Sequence, residues 1–517
     1  MRQTLKNQVE NLLDTGSGSY ADVIVQFKSE SDKQLQRMLE VVVETERNRS
    51  MLVDPSQILP PEARAFAPEK PVRRLLRANA TSFSANLALE KLLSKAAADR
   101  ITAKTDYLDV FLQSTGVRTA VDDAKTRLKS RADEANPQAL RNIGGARIMV
   151  KRADLTGVIA EQEEMIEGVY ENVRIKTPRV VEAASDQTSE QNAYDGTTWG
   201  LEQTKALSAW SVFGTRGARP DGTPVRVAVL DTGVDATHPD LQGKIADFAE
   251  FDGAGAIVAQ GVQAARDSGS HGTHVTGTII GGDASGGWIG MAPDAEAICG
   301  LVLNGDQGGT LAQVIGGIDW AVSEGAQIIN LSLGGLTFEA AVGTPYQRAI
   351  VDALVRGALV VAAIGNDGHQ TSGSPGNDYF ALAAAAHDDL VRSAGFSGGR
   401  THVLSQSDYI NPQFLPLVYI KPDLSAPGVR VKSSVPDADW ASFNGTSMAT
   451  PHISGAAALL FAATGIADRP AEQRAFLARD LLIGGVTDRG ESGQDQRYGY
   501  GCLNVLRSID AAIQRGF

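Results

Sequence analysis

The sequence is poor in cysteine, in surplus positive charge and in long apolar runs, and each shortage closes off a class of answer. Only Cys299 and Cys502 occur among 517 residues, which excludes a disulfide framework and leaves a single bridge at most. Free cysteine usually packs as a small apolar residue, so two reduced, buried thiols are expected. No run of 18 apolar residues is present, so no helical membrane span is expected. Acidic residues outnumber basic ones, 61 to 48, for a formal charge of −13. Nucleic acid and anionic membranes need clustered Lys and Arg, so neither is an expected partner. The opening residues start basic at Arg2 and Lys6 but never enter the apolar core of a secretory signal. That predicts a cytoplasmic chain, with secretion by another route or a truncated leader left open.

Histidine is missing from the first 230 residues, and glycine pairs become frequent only beyond them. The N-terminal part, 1–176, reads as a small α+β region. A strand is expected over 19–28, a helical insertion over 31–135 broken by Pro55, Pro60, Pro61, Pro68 and Pro71, a strand over 146–150, a helix over 155–166 and a strand over 170–175. Residues 177–198 are polar and read as a linker or processing region. From 199 to 517, apolar strand-like runs at 225–230, 298–303, 328–333 and 359–364 alternate with helical patterns at 310–324 and 346–357. Continuous buried strands separated by amphipathic helices predict an α/β fold, a doubly wound, mainly parallel sheet with helices on both faces. Functional residues should then sit where strands end or helices begin.

Three segments carry chemistry. The run ending at Leu230 delivers Asp231-Thr232-Gly233, placing a carboxylate where the chain leaves the sheet. In His271-Gly272-Thr273-His274 a helix begins; no Glu separates the histidines, so a general base at His271 fits better than a metal pair, with His274 as a packed residue. Asn444-Gly445-Thr446-Ser447 leads into an Ala-rich apolar helix over 453–463, so Ser447 sits where unpaired N–H groups favour developing negative charge. Alone, each has an ordinary explanation as a turn carboxylate, a packed histidine or a helix cap. Serine needs an adjacent base, itself held by a third group, and these three supply the types.

In the chain order Asp, His, Ser, these segments resemble the signatures of the subtilisin family, and the likeness runs from about Trp199 to Leu503. It implies a serine endopeptidase with an Asp231, His271, Ser447 triad and an acyl-enzyme intermediate, needing no catalytic cofactor. It also implies that Asn366, in the segment 362–368, is the oxyanion donor. Ser332, Leu333 and Gly334 would form one wall of the primary specificity pocket, Ala363 and Gly365 the other, with Pro375 and Gly376 at its floor. Gly308 and Gly309 would offer an edge strand to polypeptide substrates. Asp240 matches a family calcium ligand and Asp283 is a second candidate, although the loop 281–288 is poor in side-chain oxygens. The stretch 398–420 looks inserted and is given no role.

The N-terminal region resembles the ends of a subtilisin prodomain, which implies a self-processing proenzyme inhibited by its own tail. The helical insertion is larger than such a domain needs and suggests a protein partner. Two rival readings remain. One is an aspartic peptidase built on the two Asp-Thr-Gly triplets at 14–16 and 231–233, although only 13 residues precede Asp14. The other is a catalytically silent peptide-binding scaffold.

Overall fold

The computed structural model describes residues 3–15, 20–27, 139–140, 145–161, 166–176, 181–182, 197–337, 344–407, 410 and 412–517. The helical insertion expected over 31–135 lies outside them. The chain divides into two compact units, one of Met1–Val173 with Val342–Arg348 and Ser405–Pro416, the other of the remaining segments.

The first unit builds a four-stranded antiparallel sheet in the order β2-β3-β1-β4 from β1 (Tyr20–Phe27), β2 (Ala139–Leu140), β3 (Gly145–Lys151) and β4 (Ile166–Glu171). It also holds α1 (Gln3–Thr15) and α2 (Arg152–Glu161). Leu5, Val9 and Leu12, spaced as one helical stripe, are buried, which explains why α1 forms. The Arg147 guanidinium grips the Asp22 carboxylate with two bonds of 2.6 and 2.7 Å. The strand expected over 170–175 is in fact two. The ladder of β4 stops because buried Asn172 gives its N–H to the Asp22 carbonyl and its amide to the Asp22 carboxylate, and the next strand, β5 (Arg174–Ile175), belongs to the second unit.

The second unit also contains β6 (Val181–Glu182), a strand inside the segment expected to be linker. Its main sheet comprises β7 (Arg226–Asp231), β8 (Ile245–Phe251), β9 (Ile257–Gln260), β10 (Glu296–Leu301), β12 (Ile328–Leu331), β14 (Leu359–Ala363), β16 (Leu382–His387) and β19 (Leu424–Pro427). The short β11 (Gly309–Thr310), β13 (Gly335–Thr337) and β15 (Ser372–Ser374) stand outside it. The spatial order is β19-β16-β14-β12-β7-β10-β8-β9, all parallel except the edge strand β9. Central strands such as Val227 to Leu230 and Leu359 to Ala363 are buried throughout, as parallel strands covered by helices must be. From β7 the chain builds one side of the sheet through β8 and β10 and the other through β12, β14, β16 and β19. The order therefore reverses between β7 and β12, the place where doubly wound sheets hold ligands beyond their strand ends.

The helices α3 (His271–Ile280), α4 (Leu311–Ser323), α5 (Pro345–Val355), α6 (Thr446–Ala463) and α7 (Ala471–Gly484) follow in chain order, and α3, α4, α6 and α7 pack on this sheet. Helix α6 starts earlier than the apolar run at 453 suggested and is buried from Thr446 to Ala462. It lies against β12, β14, β16 and β19 and against α3 and α7. The inserted stretch forms an antiparallel hairpin of β17 (Arg400–Leu404) and β18 (Leu417–Lys421). At its base Lys421 and Arg479, both buried, share the Asp423 carboxylate at 2.7 and 2.9 Å. Cys299 and Cys502 are both free and buried, and burial pushes each thiol up to about 12, which keeps them protonated and unreactive.

Candidate active site

Asp231 is the last residue of β7, fixed by the sheet itself. Its carbonyl accepts from Val302 and Leu303 N–H groups at 2.9 and 3.1 Å. Its carboxylate Oδ1 accepts from the Thr232 N–H at 2.7 Å and meets His271 Nδ1 at 2.8 Å. His271 is the first residue of α3, and Gly272 is what lets the helix begin so close. A Cβ there would come 2.1 Å from the Gly233 carbonyl, so any side chain would push the histidine off the aspartate. Thr232 holds the same corner, accepting from Gly272 N–H at 2.9 Å while donating to Asp267 at 2.6 Å.

The third predicted residue, Ser447, lies in the first turn of α6. Helices α3 and α6 pack directly, with the Gly455 Cβ position 3.6 Å from the Ile279 carbonyl. His274 ties α3 to the hairpin of β20 (Val431–Val435) and β21 (Asp439–Asn444) that runs into Ser447. Its Nε2 reaches the Val431 and Ala441 carbonyls at 2.9 and 3.1 Å, and its ring stacks on Phe443 at 4.3 Å. Burial pushes this imidazole down to about 3, so it stays neutral and packed, as the sequence suggested. Ser447 Oγ donates to the Ser332 carbonyl at 3.2 Å, and among the described residues its hydrogen bond goes there rather than to His271.

Burial acts to lower the His271 pKa, but the charge and hydrogen bond of Asp231, with Asp267 behind it, outweigh burial and raise it above 6.5. Protonation therefore favours the folded state: this contribution is present below pH 6.5 and is lost as pH rises past the folded value. A base at this position works only when neutral. The rate kcat/KM should then climb with pH around a midpoint above 6.5; a flat profile, or an acid limb centred well below 6, would contradict the pairing.

Asn366 follows β14, and its Oδ1 accepts from both the Thr446 N–H and the Thr446 hydroxyl at 2.9 Å. That turns Nδ2 away from Thr446, to within 3.4 Å of the Gly445 Cβ position beside Ser447. Thr446, Thr232 and Asp267 were not singled out from sequence. Thr446 and Thr232 sit inside the motifs that were read, and only the fold brings Asp267 to them.

The predicted pocket walls also converge. Ser332 is buried and its hydroxyl donates to the Ser447 carbonyl at 2.9 Å. Leu333 is buried, β13 pairs antiparallel with β15, and the Gly376 Cβ position meets the Ala363 carbonyl at 2.2 Å. The edge at Gly309–Thr310 is taken by the chain itself: β5 pairs with it antiparallel, Ile175 opposite Gly309. Gly308 permits this, since a Cβ there would meet the Ile175 carbonyl at 2.1 Å. On the other side, β6 pairs with Phe443 and Asn444. Asp14 falls inside α1, which gives the aspartic-peptidase pairing no loop to use.

A family model described as the Subtilase family matches residues 222–501, more than half of the chain. A second, described as Moulting cycle, matches residues 76–178, mostly outside the described residues. Among curated proteins, Subtilisin E of Bacillus subtilis (strain 168) is 33% identical over 334 residues, covering 64% of this chain and 75% of the relative. Subtilisin BL of Lederbergia lenta is 37% identical over 262 residues, 51% of this chain and 83% of the relative. Subtilisin of Bacillus pumilus is 33% identical over 311 residues, 59% and 96%. The motifs, the mainly parallel sheet and these likenesses agree, and the chain belongs to the subtilase family of serine endopeptidases.

Proposed function

We propose that peptide bonds are cut by Ser447 as nucleophile, with His271 as base and then acid, Asp231 orienting the imidazole, and Asn366 with the Ser447 N–H as oxyanion donors. The observation that carries this reading is the buried 2.8 Å contact between His271 Nδ1 and Asp231, which leaves Nε2 as the basic nitrogen. Ser447 first rotates away from the Ser332 carbonyl. As its oxygen bonds to the substrate carbonyl carbon, its proton passes to Nε2 and the carbonyl oxygen gains charge. The same proton goes to the leaving amine as the C–N bond breaks, and water then repeats the sequence on the acyl-enzyme. Asn366→Leu should lower kcat by roughly 100- to 1,000-fold with KM little changed, a range known from subtilisin itself. An unchanged kcat would remove Asn366 from the oxyanion site.

The substrate would be an extended polypeptide adding to the edge at Gly308, Gly309 and Thr310, its side chain held between 332–334 and 363–365. We propose further that the chain is a self-processing proenzyme, with its N-terminal unit as prodomain and the cut falling between Ile175 and Val181. Support comes from β5 on the substrate edge and β6 on the strand leading into Ser447. Incubating wild-type and Ser447→Ala protein and mapping N-termini by mass spectrometry tests this. A new terminus within 176–181 in the wild type alone is expected; an intact wild type, or the same cut in both, would overturn self-processing. A silent scaffold finds no support, because all four positions needed for catalysis are kept.

A further inference from the structure

Resemblance would put a calcium ion at the loop 281–288, but the protein's own donors already close it. Asp240 is 1% exposed. Its Oδ1 accepts from Ala284 N–H at 2.7 Å and its Oδ2 from the Trp440 indole at 2.6 Å. Its main-chain carbonyl accepts from Gly282, and the Gly282 carbonyl accepts from Ile289, at 3.0 and 3.1 Å. Asp283, the second candidate, stands on the exposed side of the loop. Calcium requires about six to eight converging oxygens, and no group of three metal-ligating side chains of the His, Cys, Asp or Glu type gathers among the described residues. The residues present do not fit the ion.

A positive charge is nevertheless built in. Lys244 is half-buried, and its Nζ donates to the carbonyl of Ile280, the last residue of α3, at 2.9 Å. Burial holds its pKa below the usual lysine value; against that, the charges facing it are Asp240, Asp294 and Asp283, which favour the ammonium, and Arg216, which opposes it. Arg216 is itself held by two bonds of 2.9 Å to Asp294. The Gly282 Cβ position lies 3.2 Å from Asp240 Oδ1 and 3.5 Å from Lys244 Nζ, so carboxylate and ammonium flank the same loop residue.

We propose that the Lys244 ammonium takes the place of a structural calcium ion, balancing Asp240 and Asp283 and pinning the end of α3, so that the catalytic unit is held without the metal. A bound ion stabilises by an amount that grows with the logarithm of its concentration over its dissociation constant, and is removed by a chelator; a side chain tethered to the fold is not. Thermal melts of full-length Ser447→Ala protein, which cannot digest itself, are the test, run in EDTA and in millimolar calcium beside a calorimetric titration with calcium. The two melting temperatures should agree within about 1 °C, with no saturable calcium heat. Lys244→Met should melt about 5 °C lower in both buffers, and Lys244→Arg should recover part of that loss. A fall of several degrees in EDTA, saturable calcium binding, or a Lys244→Met protein as stable as its parent would overturn the proposal. Should Lys244→Met fail to fold, the chelator comparison on the parent still decides.

Discussion

Ser447→Ala is expected to lower kcat by about 10⁶-fold while leaving KM and the fold nearly unchanged, a magnitude known from subtilisin itself. The side chain lost is one hydroxyl, whose hydrogen bond among the described residues is a 3.2 Å bond to the Ser332 carbonyl, so stability should move little. The rate falls so far because, in the proposed mechanism, Ser447 alone forms the acyl-enzyme. Residual hydrolysis of roughly 10³-fold above the uncatalysed rate should persist, since the proposed oxyanion donors and substrate edge stay in place. Residues acting as one unit are not additive, so adding His271→Ala should cost almost nothing more. Steady-state kinetics on a short peptide substrate would measure both variants. A double variant another 100-fold slower would mean that His271 acts apart from Ser447.

Asp231→Asn is expected to lower kcat by about 10⁴-fold. The amide keeps the carboxylate's shape, but a single oxygen, Oδ1, meets both the Thr232 N–H at 2.7 Å and His271 Nδ1 at 2.8 Å. With the amide oxygen at that position the negative charge that steadies the imidazolium is gone; with the NH₂ there the Thr232 N–H loses its acceptor and the tautomer with its proton on Nε2 is favoured, leaving that nitrogen unable to accept from Ser447. The substitution also removes the main influences that hold the imidazole pKa above its ordinary value against burial. The acid limb of the rate profile should therefore move to lower pH even as the maximum falls. A variant with unaltered pH dependence would show that Asp231 does not set the histidine's charge.

Much of this was readable because the informative residues sit at punctuation. Asp231, His271 and Ser447 lie at a strand end and two helix starts, where Gly233, Gly272 and Gly445 break the apolar pattern, and the buried strands of the main sheet are nearly continuous in Val, Ile, Leu and Ala. Boundaries were less legible. The stretch 170–175 reads as one strand until Asn172 is seen bonded to Asp22, a partner 150 residues away. Helix α1 escaped notice although Leu5, Val9 and Leu12 carry its period. Lys244 reads as an ordinary surface lysine in Gly243-Lys244-Ile245, because its meaning depends on the Ile280 carbonyl, which only the fold brings near. Strand β6 had no signal at all: its two residues pair only because β21 offers an edge.

Covalent labelling shows whether Ser447 is made nucleophilic by His271 and Asp231. Processed protein would be treated with a fluorophosphonate probe, digested with trypsin and mapped by mass spectrometry, with His271→Ala treated in parallel. One adduct is expected, on Ser447, approaching one per molecule in the wild type and nearly absent in the variant. An adduct on another residue, no adduct at all, or equal labelling without His271 would contradict it.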